Sequence, residues 1–129
     1  MSGNAVRIMI VDDEKDLVMV TKIFITKCGF EAVSFTDPLE ALEYFKKNRL
    51  SIALVLTDIR MPGMSGLELA REILKIKPDQ KIMLMTAYQV DTIDLQVGLP
   101  MITHRDILKK PFVFADICNG IRKTLQVSH

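Results

Sequence analysis

The chain is poor in residues that build metal-thiolate or triad chemistry. Its 129 residues include two cysteines, two histidines and no tryptophan. Cys28 and Cys118 stand far apart and make neither a disulfide framework nor a CxxC motif. They are expected as buried or half-buried thiols of a reduced protein. His104 and His129 leave little scope for histidine ligation or a Ser/His/Asp triad. Charge of one sign is also missing: 17 Lys plus Arg face 16 Asp plus Glu, a net charge of +1. No basic face for direct nucleic-acid binding is implied. The longest purely aliphatic run, 52–56, is far too short to span a membrane. The first six residues lack the basic start and apolar stretch of a secretory signal. What remains is a composition 49% hydrophobic and 26% charged, which fits one globular, cytoplasmic domain over 1–129.

Short apolar runs alternate with amphipathic stretches. Arg7–Val11 reads as a buried strand ending in Asp12-Asp13-Glu14. The spacing of Leu17, Val20, Phe24 and Ile25 predicts a helix whose N-cap is Asp16 and whose end is marked by Cys28-Gly29. Glu31–Phe35 alternates as a second strand. Asp37-Pro38-Leu39-Glu40 predicts a helix start, with Asp37 capping, Pro38 in the first turn and Glu40 reaching back. The unbroken run 51–57 predicts a strand covered on both faces, ending in Asp58. Leu67, Ala70, Ile73 and Leu74 mark a third helix, closed by Pro78. Strands are expected at 81–85, before Thr86, and at 106–108, before Lys109-Lys110-Pro111. Val90, Ile93 and Val97 suggest a short helix ending at Gly98. Phe114, Ile117, Ile121 and Leu125 suggest the final one. Five strand–helix pairs imply an α/β fold, a doubly wound parallel sheet with helices on both faces.

The chemistry gathers at the strand ends. The first strand offers Asp12 and Asp13, the third Asp58, the fourth Thr86 and the fifth Lys110. In an open α/β sheet a site forms outside these carboxyl ends. Three carboxylates brought together repel one another unless a cation intervenes, and a hard divalent ion such as Mg²⁺ suits oxygen ligands. A lysine and a threonine hydroxyl suit phosphoryl oxygens, and a carboxylate facing that group can be the nucleophile. The residues therefore point to Mg²⁺-dependent phosphorylation of an aspartate.

Asp12-Asp13, the run Asp58-Ile59-Arg60-Met61-Pro62-Gly63-Met64-Ser65-Gly66, Thr86-Ala87 and Lys110-Pro111 resemble the response-regulator receiver domain of two-component signalling. The resemblance covers roughly 6–125. It implies a flavodoxin-like (βα)5 fold with strand order 2-1-3-4-5 and no output domain. It implies Asp58 as phosphoacceptor, with Mg²⁺ held by Asp13, Asp58 and the backbone carbonyl of Arg60, and by Asp12 through water. Lys110 would pair with a phosphoryl oxygen, Thr86 would be the switch hydroxyl, small Ala87 would leave access, and Pro111 would fix the loop through a cis bond. The implied partners are a sensor histidine kinase or phosphotransfer protein and a downstream protein target. A homodimer is a further option. The role is signalling rather than that of an enzyme.

Three positions depart from the family pattern. Ile107 stands where an aromatic is usual, so the switch is expected to be built differently. Arg60 and Tyr88 flank the phosphoryl position and are expected to slow its hydrolysis. The interval from Thr86 to Lys110 is unusual, with Pro100 in a long loop. The alternative reading is a receiver-like interaction module that acts without phosphorylation. An aspartate-nucleophile phosphatase of the haloacid-dehalogenase type would need an Asp at Arg60. A flavin phosphate would be repelled by Asp12-Asp13-Glu14.

Overall fold

Among the described residues, four α-helices and five strands follow the predicted alternation. The structure, a computed structural model, describes residues 6–87 and 106–126. The strands are β1 (Arg7–Val11), β2 (Glu31–Phe35), β3 (Leu54–Asp58), β4 (Lys81–Thr86) and β5 (Ile107–Lys109). The helices are α1 (Lys15–Lys27), α2 (Pro38–Asn48), α3 (Gly66–Ile76) and α4 (Phe114–Gln126), with a 3-10 turn at Arg49–Ser51. The helix expected around Val90, Ile93 and Val97 lies outside the described residues, as do Tyr88, Pro100 and both histidines.

All strand pairs are parallel, in the order β2-β1-β3-β4-β5 expected from the resemblance. Alternate residues feed two cores. Met9, Val11 and Val55 pack with Ala41 and Phe45 of α2 and with Leu69 and Ile73 of α3. Ile8, Ile10, Leu54 and Leu56 pack on the other face with Ile25 of α1 and with Ile117 and Ile121 of α4. Every residue of β3 is buried, as its unbroken apolar run requires.

Local signals account for the helix ends. Asp37 Oδ1 accepts the Leu39 N–H at 2.9 Å, with Pro38 in the first turn. Gly29 takes φ +98° just past α1, the left-handed position that glycine tolerates. The reciprocal capping box forms at α3 rather than at α2. Glu68 N–H donates to Ser65 Oγ at 3.2 Å, and Ser65 N–H donates to Glu68 Oε1 at 3.1 Å.

Three further expectations are corrected. Asp16 is not the N-cap of α1: Glu14 holds that position, and Asp16 lies in the first turn. The buried stripe of α1 is Val18, Thr21 and Ile25. Leu17 and Val20 are exposed instead, because this helix is apolar around most of its circumference and two phases satisfy the same periodicity. Cys28 and Cys118 are not separate thiols. They are joined by a disulfide with Cα atoms 5.7 Å apart, within the ordinary range for the bond. Sequence separation hid this pair, because α1 and α4 become neighbours only once the sheet is wound.

Candidate functional site

The register of the parallel ladders brings the site together. Val11 stands opposite Thr57, so Asp12, one step further, comes level with Asp58. Three of the four ladders run one residue past their strands. Asp12 N–H donates to the Phe35 carbonyl at 3.1 Å, Ile59 N–H to that of Met85 at 3.0 Å, and Lys110 N–H to that of Thr86 at 2.7 Å. Side-chain alternation then does the aiming. Asp12 is in phase with Ile8 and Ile10, Asp58 with Leu54 and Leu56, and Lys110 with Leu108. All three belong to the sheet face covered by α1 and α4.

Carboxylate oxygens of Asp12, Asp13 and Asp58 lie within 4.8 Å of one another. Asp12 and Asp58 are buried, and Asp13 is more open to solvent. Lys110 Nζ sits between the two buried acids, 2.8 Å from Asp12 Oδ2 and 3.3 Å from Asp58 Oδ2. The other Asp12 oxygen accepts the Glu14 N–H at 3.1 Å, which ties the acidic loop down at the start of α1. Lys110 stays charged despite its burial. Desolvation alone would lower its pKa, but the hydrogen bond and charge of Asp12, helped by Asp58, carry it above its ordinary value. Burial pushes the Asp58 carboxyl above its ordinary value and Asp12 adds to that push, while Lys110 opposes it.

The donor set is three carboxylates and one ammonium, which leaves an excess of negative charge. An all-oxygen ligand set with partial exposure fits a hard divalent cation. The cluster opens into a cavity of about 590 Å³. Its lining combines the polar Asp13, Asp58 and Lys110 with the apolar Leu17, Val20, Phe24 and Phe112, and Ala87 borders it too. Arg60 borders the same cavity and is exposed. Thr86 is buried at the end of β4, in register with Lys109. Ile107 is the register partner of Leu84 and packs against the core under α2 and α3. The Lys110–Pro111 peptide bond is cis, as the resemblance implied. Of the expected site residues, only Tyr88 falls outside the described part.

Gly66 is a site residue whose reason is not visible in sequence. A Cβ there would stand 2.0 Å from the Asp58 carbonyl oxygen. Its N–H donates to the Ile59 carbonyl at 2.8 Å. The first turn of α3 is thereby pressed against the backbone that carries Asp58. Glycine three residues past a Pro-Gly turn was the only sequence signal for it.

Fold and site together define a protein of two-component signalling. The family model for the response regulator receiver domain matches residues 8–122, and the chain belongs to that family. It is 35% identical over 121 residues to the response regulator receiver protein CpdR of Brucella abortus, covering 92% of this chain and 96% of that protein. It is 31% identical over 120 residues to the sporulation initiation phosphotransferase F of Bacillus subtilis, covering 92% and 93%. Among solved structures, a response regulator receiver domain protein from Clostridium thermocellum superposes with a TM-score of 0.82 at 28% identity, covering 93% and 94% of the two chains.

Proposed function

We propose that this receiver takes a phosphoryl group on Asp58 and passes the resulting change to a protein target. The observation that carries the reading is Lys110 bonded to both Asp12 and Asp58 beside Asp13. In the transfer, an Asp58 carboxylate oxygen forms a bond to phosphorus while the bond from phosphorus to the donor nitrogen breaks. The donor imidazole leaves neutral once it takes up a proton. Asp13, Asp58 and the Arg60 carbonyl would hold Mg²⁺, with Asp12 behind them through water. The ion would neutralise charge on the phosphoryl oxygens. Lys110 is close enough to Asp58 to exchange its carboxylate contacts for a phosphoryl oxygen. Thr86, at the end of the neighbouring strand, supplies the hydroxyl that reports the new charge, and Ala87 keeps the approach open. Ile107 packs into the core, so the report runs without an aromatic side chain at that position.

The donor is a protein carrying phosphohistidine, a sensor kinase or a phosphotransfer protein, in the cytoplasm. Supporting a protein donor, Leu17 and Val20 of α1 are exposed apolar side chains that border the site cavity, and Met19 and Ile23 of α1, Val113 of the β5–α4 connection and Phe114 at the start of α4 are exposed as well. No described helix is long and apolar enough to cross a membrane.

The test is intact-mass measurement after incubation with acetyl phosphate, with and without Mg²⁺, on wild type and Asp58→Asn. One phosphoryl group gained only with Mg²⁺ and only on wild type is the expected result. No uptake under any condition overturns the reading in favour of an interaction module that works unphosphorylated.

A further inference from the structure

Three contacts line up along the junction of α1 and α4. Phe24 meets Phe114 edge to face, with ring centroids 5.7 Å apart. Cys28 is bonded to Cys118. Arg122 Nη2 donates to the Cys28 carbonyl oxygen at 3.2 Å. These residues recur at four-residue spacing on both helices, so they form one continuous seam. Both helices also start from site loops. α1 begins just after Asp12 and Asp13, and α4 begins shortly after Lys110. A covalent bond in this seam therefore joins the helix behind the acidic loop to the helix behind the lysine loop.

The two sulfurs are unequal. Cys118 is 4% exposed, while Cys28, at the end of α1, is only half-buried. We propose that Cys28–Cys118 is a reversible redox modification site, at which a small thiol/disulfide couple exchanges through Cys28 and so sets how firmly α1 is held to α4. In the reducing direction a thiolate of the small thiol attacks the Cys28 sulfur. The Cys28–Cys118 bond breaks, the electron pair leaves on the Cys118 sulfur, and Cys28 carries a mixed disulfide. A second thiolate attacks the outer sulfur of that mixed disulfide, releases the Cys28 thiolate and leaves as the oxidised small disulfide. Oxidation is the same sequence reversed, with Cys118 resolving the mixed disulfide. The bond closes a loop of 90 residues, so its loss frees the unfolded chain considerably.

The test uses the full chain in glutathione buffers of stepped ratio, quenched with an alkylating agent and read by intact mass. No phosphodonor is present, so the outcome is independent of the receiver reading. Wild type is expected to convert between a dithiol and an intramolecular disulfide while remaining monomeric. Cys118→Ser is expected to collect the glutathione adduct at least about tenfold faster than Cys28→Ser, since only the former leaves the accessible sulfur. Reduction of wild type is expected to lower its melting temperature by about 10 °C. The double serine variant is expected to melt with the reduced form whatever the buffer. Intermolecular dimers, equal adduct rates for the two variants, or a melting temperature indifferent to reduction would each overturn the proposal.

Discussion

Lys110 reaches across the sheet to Asp12, its Nζ 2.8 Å from Oδ2, and the same nitrogen stands 3.3 Å from Asp58 Oδ2. One ammonium thus serves two buried carboxylates while Asp13 waits at the solvent edge. The arrangement stores negative charge at the carboxyl end of β1 and β3 and spends one cation to keep it there. Any incoming group must reckon with that balance. A divalent cation would relieve it, and a phosphoryl group would compete for the lysine.

Replacing Lys110 by Met keeps the length of the side chain and removes the charge. Two buried carboxylates then face each other without the cation between them, which costs about 3 kcal/mol of folding free energy at neutral pH. Urea unfolding should show that loss, with partial recovery in excess Mg²⁺. Lys110→Arg should recover more of the stability than Lys110→Met, since the charge returns. It should not restore full phosphoryl uptake, because the bulkier guanidinium cannot occupy the point between Asp12 and Asp58.

Burial raises the Asp58 pKa, and the sign of its effect on stability follows. Below the unfolded value of 3.8, Asp58 is protonated in both states and contributes nothing. As pH rises past that value the unfolded chain releases its proton first, so wild type loses stability until the folded carboxyl ionises too. Asp58→Asn should therefore equal wild type in very acid solution and become the more stable of the two as pH increases. Lys110 acts at the other end of the scale. Its stabilising contribution is complete below 10.5 and disappears as pH climbs through its raised folded value. Unfolding curves for wild type, Asp58→Asn and Lys110→Met across pH check both signs. Equal pH slopes for wild type and Asp58→Asn on the acid side would refute the first.

The site was readable in sequence because each functional residue ends an apolar run. Strand ends in a parallel sheet share one edge, so Asp12, Asp58, Thr86 and Lys110 had to lie along that edge once the runs were recognised as strands, and the strand order then makes them neighbours. What stayed hidden depended on packing that periodicity does not encode. In α1, Leu17 to Val20 are all apolar, and only docking on the sheet decides that Val18, not Leu17 or Val20, turns inward. Cys28 and Cys118 become partners only through the seam between first and last helices. The strand order itself came from family resemblance, since alternating strands and helices fit more than one winding.

Gly66 supplies a sharper steric test. Its missing Cβ leaves room for the Asp58 carbonyl, and a methyl group there would stand 2.0 Å from that oxygen, with the Asp58 carbonyl carbon and the Ile59 Cα also inside contact distance. Backbone cannot step aside as a flexible side chain can. Gly66→Ala should destabilise the fold by more than about 2 kcal/mol, beyond any gain from helix propensity. Gly120→Ala is the matched control. There the added Cβ meets only the end of the Met83 side chain, at 3.0 Å, and the helix gains propensity. Its melting temperature should stay close to wild type. Similar losses at the two glycines would show that Asp58 is not held by that close approach.

Asp13 separates metal binding from structural support. It is the most open of the three acids, and no described hydrogen bond depends on it, whereas Asp12 holds both Lys110 and the Glu14 N–H. Without divalent cations, Asp13→Asn should unfold within about 0.5 kcal/mol of wild type, as a surface substitution does. With Mg²⁺ the two should diverge. Wild-type stability should rise by about 1.4 kcal/mol for each tenfold increase of free Mg²⁺ beyond its dissociation constant, and that rise should begin at much higher concentration in Asp13→Asn. Chelation should return wild type to the metal-free curve. Ca²⁺, larger and less demanding of geometry, and K⁺ at matched ionic strength distinguish ligation from screening, since screening by salt does not require Asp13. A wild type indifferent to millimolar Mg²⁺ would remove the metal from the site and leave Lys110 as its only counter-charge among the described contacts of Asp12 and Asp58.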